Sequence, residues 1–140
     1  MTPSQSLQIE VLRLQPGDDL RGALVTAFAR LAAGGAQAAC VGSLRAAVLR
    51  FADQPRGTVL AGPLELLALS GTLSVDGPHL HGSVADAVGR VSGGHVMNGC
   101  VVRTTAKIVL VVLPGWAFTR VPDAATGFLE LVARRVEGEW

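Results

Sequence analysis

The sequence predicts an α+β domain: a mainly antiparallel β-sheet with one flanking helix near the N-terminus. Three observations carry this prediction. Only the stretch beginning at Leu20 repeats its apolar residues at helical spacing. The chain after it breaks into short apolar or alternating runs separated by Gly, Pro and Asp turns. Helices therefore do not alternate with strands, as a parallel α/β sheet would require. At 140 residues the chain fits one compact domain, spanning 1–140 with a core from about 7 to 134.

Each element has its own signal. Leu7, Ile9 and Val11 alternate with Gln8, Glu10 and Leu12, a half-buried strand that ends near Leu14. Pro16-Gly17 breaks it, and Asp18 or Asp19 suits the N-cap of the next element. Leu20, Leu24, Ala27, Phe28 and Leu31 then form one apolar stripe of a helix, with Gly34-Gly35 as its C-terminal stop. Residues 36–41 and 45–52 read as two strands on either side of Gly42-Ser43-Leu44, followed by a loop at 53–57. An apolar run at 64–69, interrupted by Glu65, precedes a strand at 72–75. Asp76-Gly77-Pro78 turns the chain into a further strand at 80–85. Residues 99–113 are β-branched and free of breakers after Gly99, which predicts one long central strand, straight or bulged, ended by Pro114-Gly115. Residues 118–121 and 128–132 are the last strands, the second also compatible with a short helix.

Composition narrows the function classes. Hydrophobic residues make up 49% and charged residues 16%, more apolar material than a small domain hides on its own. The excess points to a buried subunit interface, for which a symmetric homo-oligomer is the usual form. Net charge is +1 and Lys107 is the one lysine, so overall charge excludes a general polyanion binder; nucleic-acid contact would need a local arginine patch. Cys40 and Cys100 lack any metal-ligand spacing and read as small buried hydrophobes in a reducing compartment. Met1-Thr2-Pro3-Ser4-Gln5-Ser6 has no basic segment leading into an apolar one, and the longest apolar run, 108–113, is too short to cross a bilayer. The expectation is a cytoplasmic protein without membrane contact.

All three histidines fall between Pro78 and Gly99. His79 and His81 sit two apart, so an extended strand points both imidazoles to one face. A turn over Asp86 to Gly89 folds the next segment back, and Gly93-Gly94 then delivers His95 to the same face. Three convergent neutral imidazoles make a first-row transition-metal site with a position left open. The alternative is a hydrogen-bonded histidine cluster that orders the hairpin and binds nothing. Glu65 and Asp86 are the acceptors that could fix the histidine tautomers, although Glu65 could equally pair with Arg45 or Arg103. Gly93-Gly94 is no phosphate loop, because no Lys-Ser/Thr follows; it suits close backbone approach or a bulge beside His95. Ser43 and Ser83 lack a nucleophile elbow and read as turn serines. Arg13, Arg45, Arg50 and Arg103 lie on predicted strands or their ends, as an anion-binding face, solvated surface or inter-subunit pairs.

Taken together, Arg13-Leu14-x-Pro16-Gly17-x-Asp19-Leu20, Gly42-Ser43-Leu44, Gly62-Pro63-Leu64-Glu65, Leu69-Ser70-Gly71-Thr72-Leu73, His79-Leu80-His81, Asp86-x-x-Gly89 and Gly93-Gly94-His95 resemble, in order, the PPC domain (plant and prokaryote conserved domain) over residues 13–131. The resemblance implies a homotrimer and a divalent metal, zinc in the first instance, on His79, His81 and His95. It also implies a role in association with DNA or with DNA-binding proteins. Two departures stand out. Leu64-Glu65-Leu66-Leu67 replaces the family's frequent Phe-Glu-Ile-Leu, and Lys107 stands where Glu is more usual. There is no AT-hook; Pro55-Arg56-Gly57-Thr58 lacks the second arginine that enters the minor groove. Three functions follow as expectations. The first is a trimeric binding and interaction module whose metal or ligand, beside Glu65, Asp86, Gly93 and Gly94, modulates it. The second is direct DNA binding through an arginine face of the trimer. The third is a metal-dependent hydrolase-like enzyme with Glu65 or Asp86 as base.

Overall fold

The computed structural model describes residues 6–136; Met1–Gln5, read above for a leader, and the last four residues of the 1–140 span lie outside that range. In chain order the elements are β1 (Gln8–Leu14), α1 (Leu20–Leu31), β2 (Ala36–Arg50), β3 (Thr58–Leu73), β4 (His79–Ala85), β5 (Val91–Val96), β6 (Val101–Val112), β7 (Trp116–Pro122) and β8 (Leu129–Arg135). The predicted class holds: mostly antiparallel sheet with one helix.

The strands are longer and fewer than their sequence signals. Segments 36–41 and 45–52 form one strand, β2, bent by irregularities between Cys40 and Gly42 and between Leu44 and Ala46. Gly42-Ser43-Leu44 therefore kinks the strand where a turn was expected. Flanking partners β3 and β6 hold the ladder on both sides of the kink, which a bulge permits and a turn would not. The runs at 64–69 and 72–75 likewise merge into β3, which begins earlier, at Thr58. Gly71 stays in register there, opposite Ala38 on one side and Leu80 on the other. The 128–132 segment is strand, as part of β8.

Six strands form one sheet in the order β1-β6-β2-β3-β4-β5, and β5 also pairs with the end of β2 at Leu49 and Arg50. The sheet thus curls back on itself, and the β4–β5 hairpin is gripped from both edges. β7 and β8 make a separate two-stranded ribbon. It docks through Phe118, whose N–H donates to the Gly34 carbonyl at 2.8 Å and whose ring is buried. Gly34 has a Trp116 carbonyl where a Cβ would stand, so its function is close packing of this ribbon. The helix stops earlier, at Ala32, which adopts the left-handed conformation expected further on at Gly34-Gly35.

Asp19 caps α1, accepting from the Gly22 N–H at 2.9 Å through Oδ2 and from the Gly99 N–H at 2.6 Å through Oδ1. One carboxylate therefore fixes both the helix start and the approach to β6. Leu20, Leu24 and Ala27 bury the helix stripe in a core with Leu44, Leu49, Leu73, Leu80, Ile108 and Leu110. Each fully buried leucine contributes roughly 1.5–3 kcal/mol. On the sheet's other face, Val11, Val109, Ala39, Ser70, His81 and His95 stand in one transverse row, each opposite the next.

Candidate metal centre

The histidines converge as their spacing predicts. Leu80 and Val84 point into the core, which turns His79 and His81 to the opposite face of β4. β5 runs back with His95 directly opposite His81. Ring centroids are 5.1 Å apart for His79 and His81, 5.0 Å for His79 and His95, and 4.5 Å for His81 and His95. One nitrogen from each ring lies within 4.8 Å of the others. Tetrahedral zinc places such nitrogens about 3.4 Å apart, so closure on an ion asks only for small ring rotations. This donor set fits a divalent metal with a fourth position free.

Position along the hairpin is fixed by backbone contact. A Cβ on Gly94 would stand 2.6 Å from the Arg50 carbonyl oxygen, so the glycine lets β5 lie against β2 and sets the depth of His95. Gly93 is less constrained, 3.2 Å from the Gly82 carbonyl by the same measure.

Electrostatics favour neutral, ligand-competent rings at His79 and His95. Burial lowers the His79 pKa below its ordinary value; the charges of Arg120, His81 and Arg50 add to this, while Glu130 opposes it. His95 is lowered in the same way, by burial first and then by His81, Arg50, His79 and Arg120. Deprotonated imidazole is the form that binds a metal.

The two carboxylates expected here sit elsewhere. Asp86 lies at the far end of the hairpin, about 16 Å along β4 from His81 at the usual strand rise. There its Oδ1 accepts from the N–H groups of Val88 at 3.0 Å and Arg90 at 2.9 Å, holding the turn. Glu65 is exposed and opposite Ser43, in a hollow of about 270 Å³ lined also by Arg103, Thr104 and Lys107. Neither is brought to the histidines. The charged groups that do bear on them are Arg50, Arg120 and Glu130. Sequence reasoning named Arg50 only as one of several strand arginines and passed over the other two. Their signal is weak: Arg120 shares a face of β7 with buried Phe118, which turns it inward.

Residues 1–114 match the family model of the Plants and Prokaryotes Conserved (PCC) domain. The chain belongs to that family. The matched span contains all three histidines and ends before β7. Among curated proteins the chain is 51% identical over 137 residues to the bifunctional protein GlmU of Synechococcus sp. (strain JA-3-3Ab), covering 96% of this chain and 22% of that protein. It thus spans about a fifth of the length of the curated relatives it matches. Among solved structures it resembles a hypothetical protein of Salmonella enterica, at TM-score 0.89 and 39% identity, covering 94% of this chain and 96% of the other. It also resembles a metal-containing protein of Archaeoglobus fulgidus, at TM-score 0.78 and 28% identity, covering 89% and 93%. A candidate DNA-binding protein of Ralstonia eutropha shares the fold at TM-score 0.77 and 21% identity, covering 87% and 89%.

Proposed function

We propose that this chain is a zinc-binding PCC module that assembles as a homotrimer and acts by binding, with His79, His81 and His95 as the metal ligands. The observation that carries the metal is the convergence of three donor nitrogens within 4.8 Å on one sheet face. The likeness to an archaeal metal-containing protein supports it. An ion held there supplies Lewis acidity to whatever occupies its free position. The chain's own residues do the rest. The paired grip of β2 and β4 on β5 fixes the backbone at His95, and burial with the two arginines favours the neutral imidazoles of His79 and His95.

The trimer rests on the outer sheet face, where Ile9, Val11, Val41 and Val109 are 55%, 70%, 51% and 41% exposed. They form a contiguous apolar patch of the kind that marks a subunit interface. The three histidines stand on the same face, with Ser70 of β3 between them and the patch in the transverse row. A role in association with DNA or DNA-binding proteins, in a cytoplasmic setting, belongs to this reading as its biological context. The fold shared with a candidate DNA-binding protein is its support. Among the described residues no helix is long and apolar enough to cross a membrane.

Elemental analysis of untagged, freshly purified protein tests the metal. Zinc near one ion per chain is expected. Absence of any divalent ion after reconstitution with zinc would sink the assignment. A mobility-shift titration tests direct DNA contact, which should weaken steeply with added salt.

A further inference from the structure

Two arginines beside the histidines carry donors that the protein leaves unused. Arg50 pairs with His95 in the β2–β5 ladder, so its side chain leaves the sheet on the face of that imidazole. Arg120 reaches the same place from β7. Its backbone N–H donates to the Asp76 carboxylate at 2.8 Å, three residues ahead of His79, and its Nη2 donates to the Leu129 carbonyl at 2.8 Å. In both arginines Nε is buried, yet among the described residues it has no hydrogen-bond partner. A buried charged donor is ordinarily satisfied, and two orphans beside one histidine cluster call for a common explanation. The Nε–H edge of a guanidinium, with the adjacent Nη–H, is the fork that receives a carboxylate or phosphate oxygen pair.

We propose that Arg50 and Arg120 form an oxyanion site beside His79, His81 and His95, which takes a small molecule through its carboxylate or phosphate group. Both guanidinium charges already act on His79 and His95, in keeping with this closeness. Two carboxylates lie near, Asp76, which accepts from the Arg120 backbone N–H, and Glu130, whose charge acts on His79; among the described residues neither engages the Nε of Arg50 or Arg120. With a metal in place, such a ligand would present its anionic end to the arginines and a neighbouring atom to the ion. That second contact rests on the zinc reading; the arginine site does not. Arg120 lies beyond the span matched by the family, so half of this site comes from the β7–β8 ribbon.

The test follows the arginine Nε–H resonances of metal-free, isotope-labelled protein by NMR, with acetate and inorganic phosphate titrated separately at constant ionic strength. The Arg50 and Arg120 signals should shift together and saturate on one curve, while that of exposed Arg90 stays still. Saturation by acetate alone assigns a carboxylate ligand, by phosphate alone a phosphate ligand, and by both a general oxyanion site. Arg50→Lys and Arg120→Lys keep the charge but lack the Nε–H, and each should weaken binding at least tenfold. If a lysine variant fails to fold, the wild-type titration decides alone. No saturable shift with either anion, or equal shifts at every arginine, would overturn the site. Because metal-free protein is used and zinc content is measured on a separate sample, failure of the zinc assignment cannot be mistaken for failure of this one.

Discussion

His81 and His95 meet directly across the β4–β5 ladder, with ring centroids 4.5 Å apart and planes at 88°. Cross-strand partners on one face are held at side-chain contact distance by the backbone itself, so this pair is organised before any ion arrives. His79, two residues along, completes the set.

Removing His81 should therefore strip the metal and leave the fold. The side chain is exposed and takes no part in the core, so its loss costs the metal-free protein no more than about 0.5 kcal/mol. In the wild type, zinc at a hundredfold excess over its dissociation constant should stabilise by about 2.7 kcal/mol. His81→Ala should lose that increment, read as the zinc-dependent rise in Tm, with an unchanged far-UV spectrum. A variant that keeps the full rise would show that the ligands are other groups.

Gly94→Ala tests how the hairpin is set. The new methyl would sit 2.6 Å from the Arg50 carbonyl oxygen, so β5 must move away from β2. Overpacking of this kind costs about 1–3 kcal/mol. The same displacement carries His95 with it, so zinc affinity should fall along with stability. Gly89→Ala at the hairpin turn has open space around its Cβ and a positive φ of 84°, and it should lose stability without losing metal affinity.

These contacts mark what the sequence could and could not disclose. The His-x-His spacing fixes a shared face through the strand period alone, and Gly93-Gly94 before His95 signals a close approach; both are local rules, and both were legible. The helix from Leu20 to Leu31 and its Asp19 cap follow from apolar spacing and a capping side chain. Merging of two expected strands into β2 was hidden, because Gly42-Ser43-Leu44 has turn composition and only its neighbours β3 and β6 make it a bulge. Arg120 and Glu130 were hidden for the same reason. Nothing near them in sequence says that the β7–β8 ribbon folds onto the histidines. Asp86 is close to the histidines in sequence but not in space, because a strand carries it the length of the hairpin away.

Both cysteines are built to stay protonated. Burial raises the Cys40 thiol from its ordinary value to about 11, with Lys107 opposing, and burial likewise raises Cys100. Between pH 9 and 11 the unfolded chain releases thiol protons that the native protein retains, so stability is fully present below pH 9 and declines as pH rises through 11. Native protein should resist a thiol-specific reagent at pH 8, and both thiols should react once denaturant is added. Rapid modification of folded protein at that pH would contradict the burial.

The apolar outer face gives the oligomer its test. Val11, on the edge strand β1, is 70% exposed in the single chain and stands opposite Val109, itself opposite Ala39, in a row without a covering layer. A trimer built on this face should scatter light as about three times 14.4 kDa. Val11→Glu places a carboxylate where a partner would exclude water, and an unpaired buried charge costs several kcal/mol. Because the side chain projects away from the core, the variant should keep its folded spectrum while its mass falls to that of one chain. Retention of the trimer mass would move the interface to another surface.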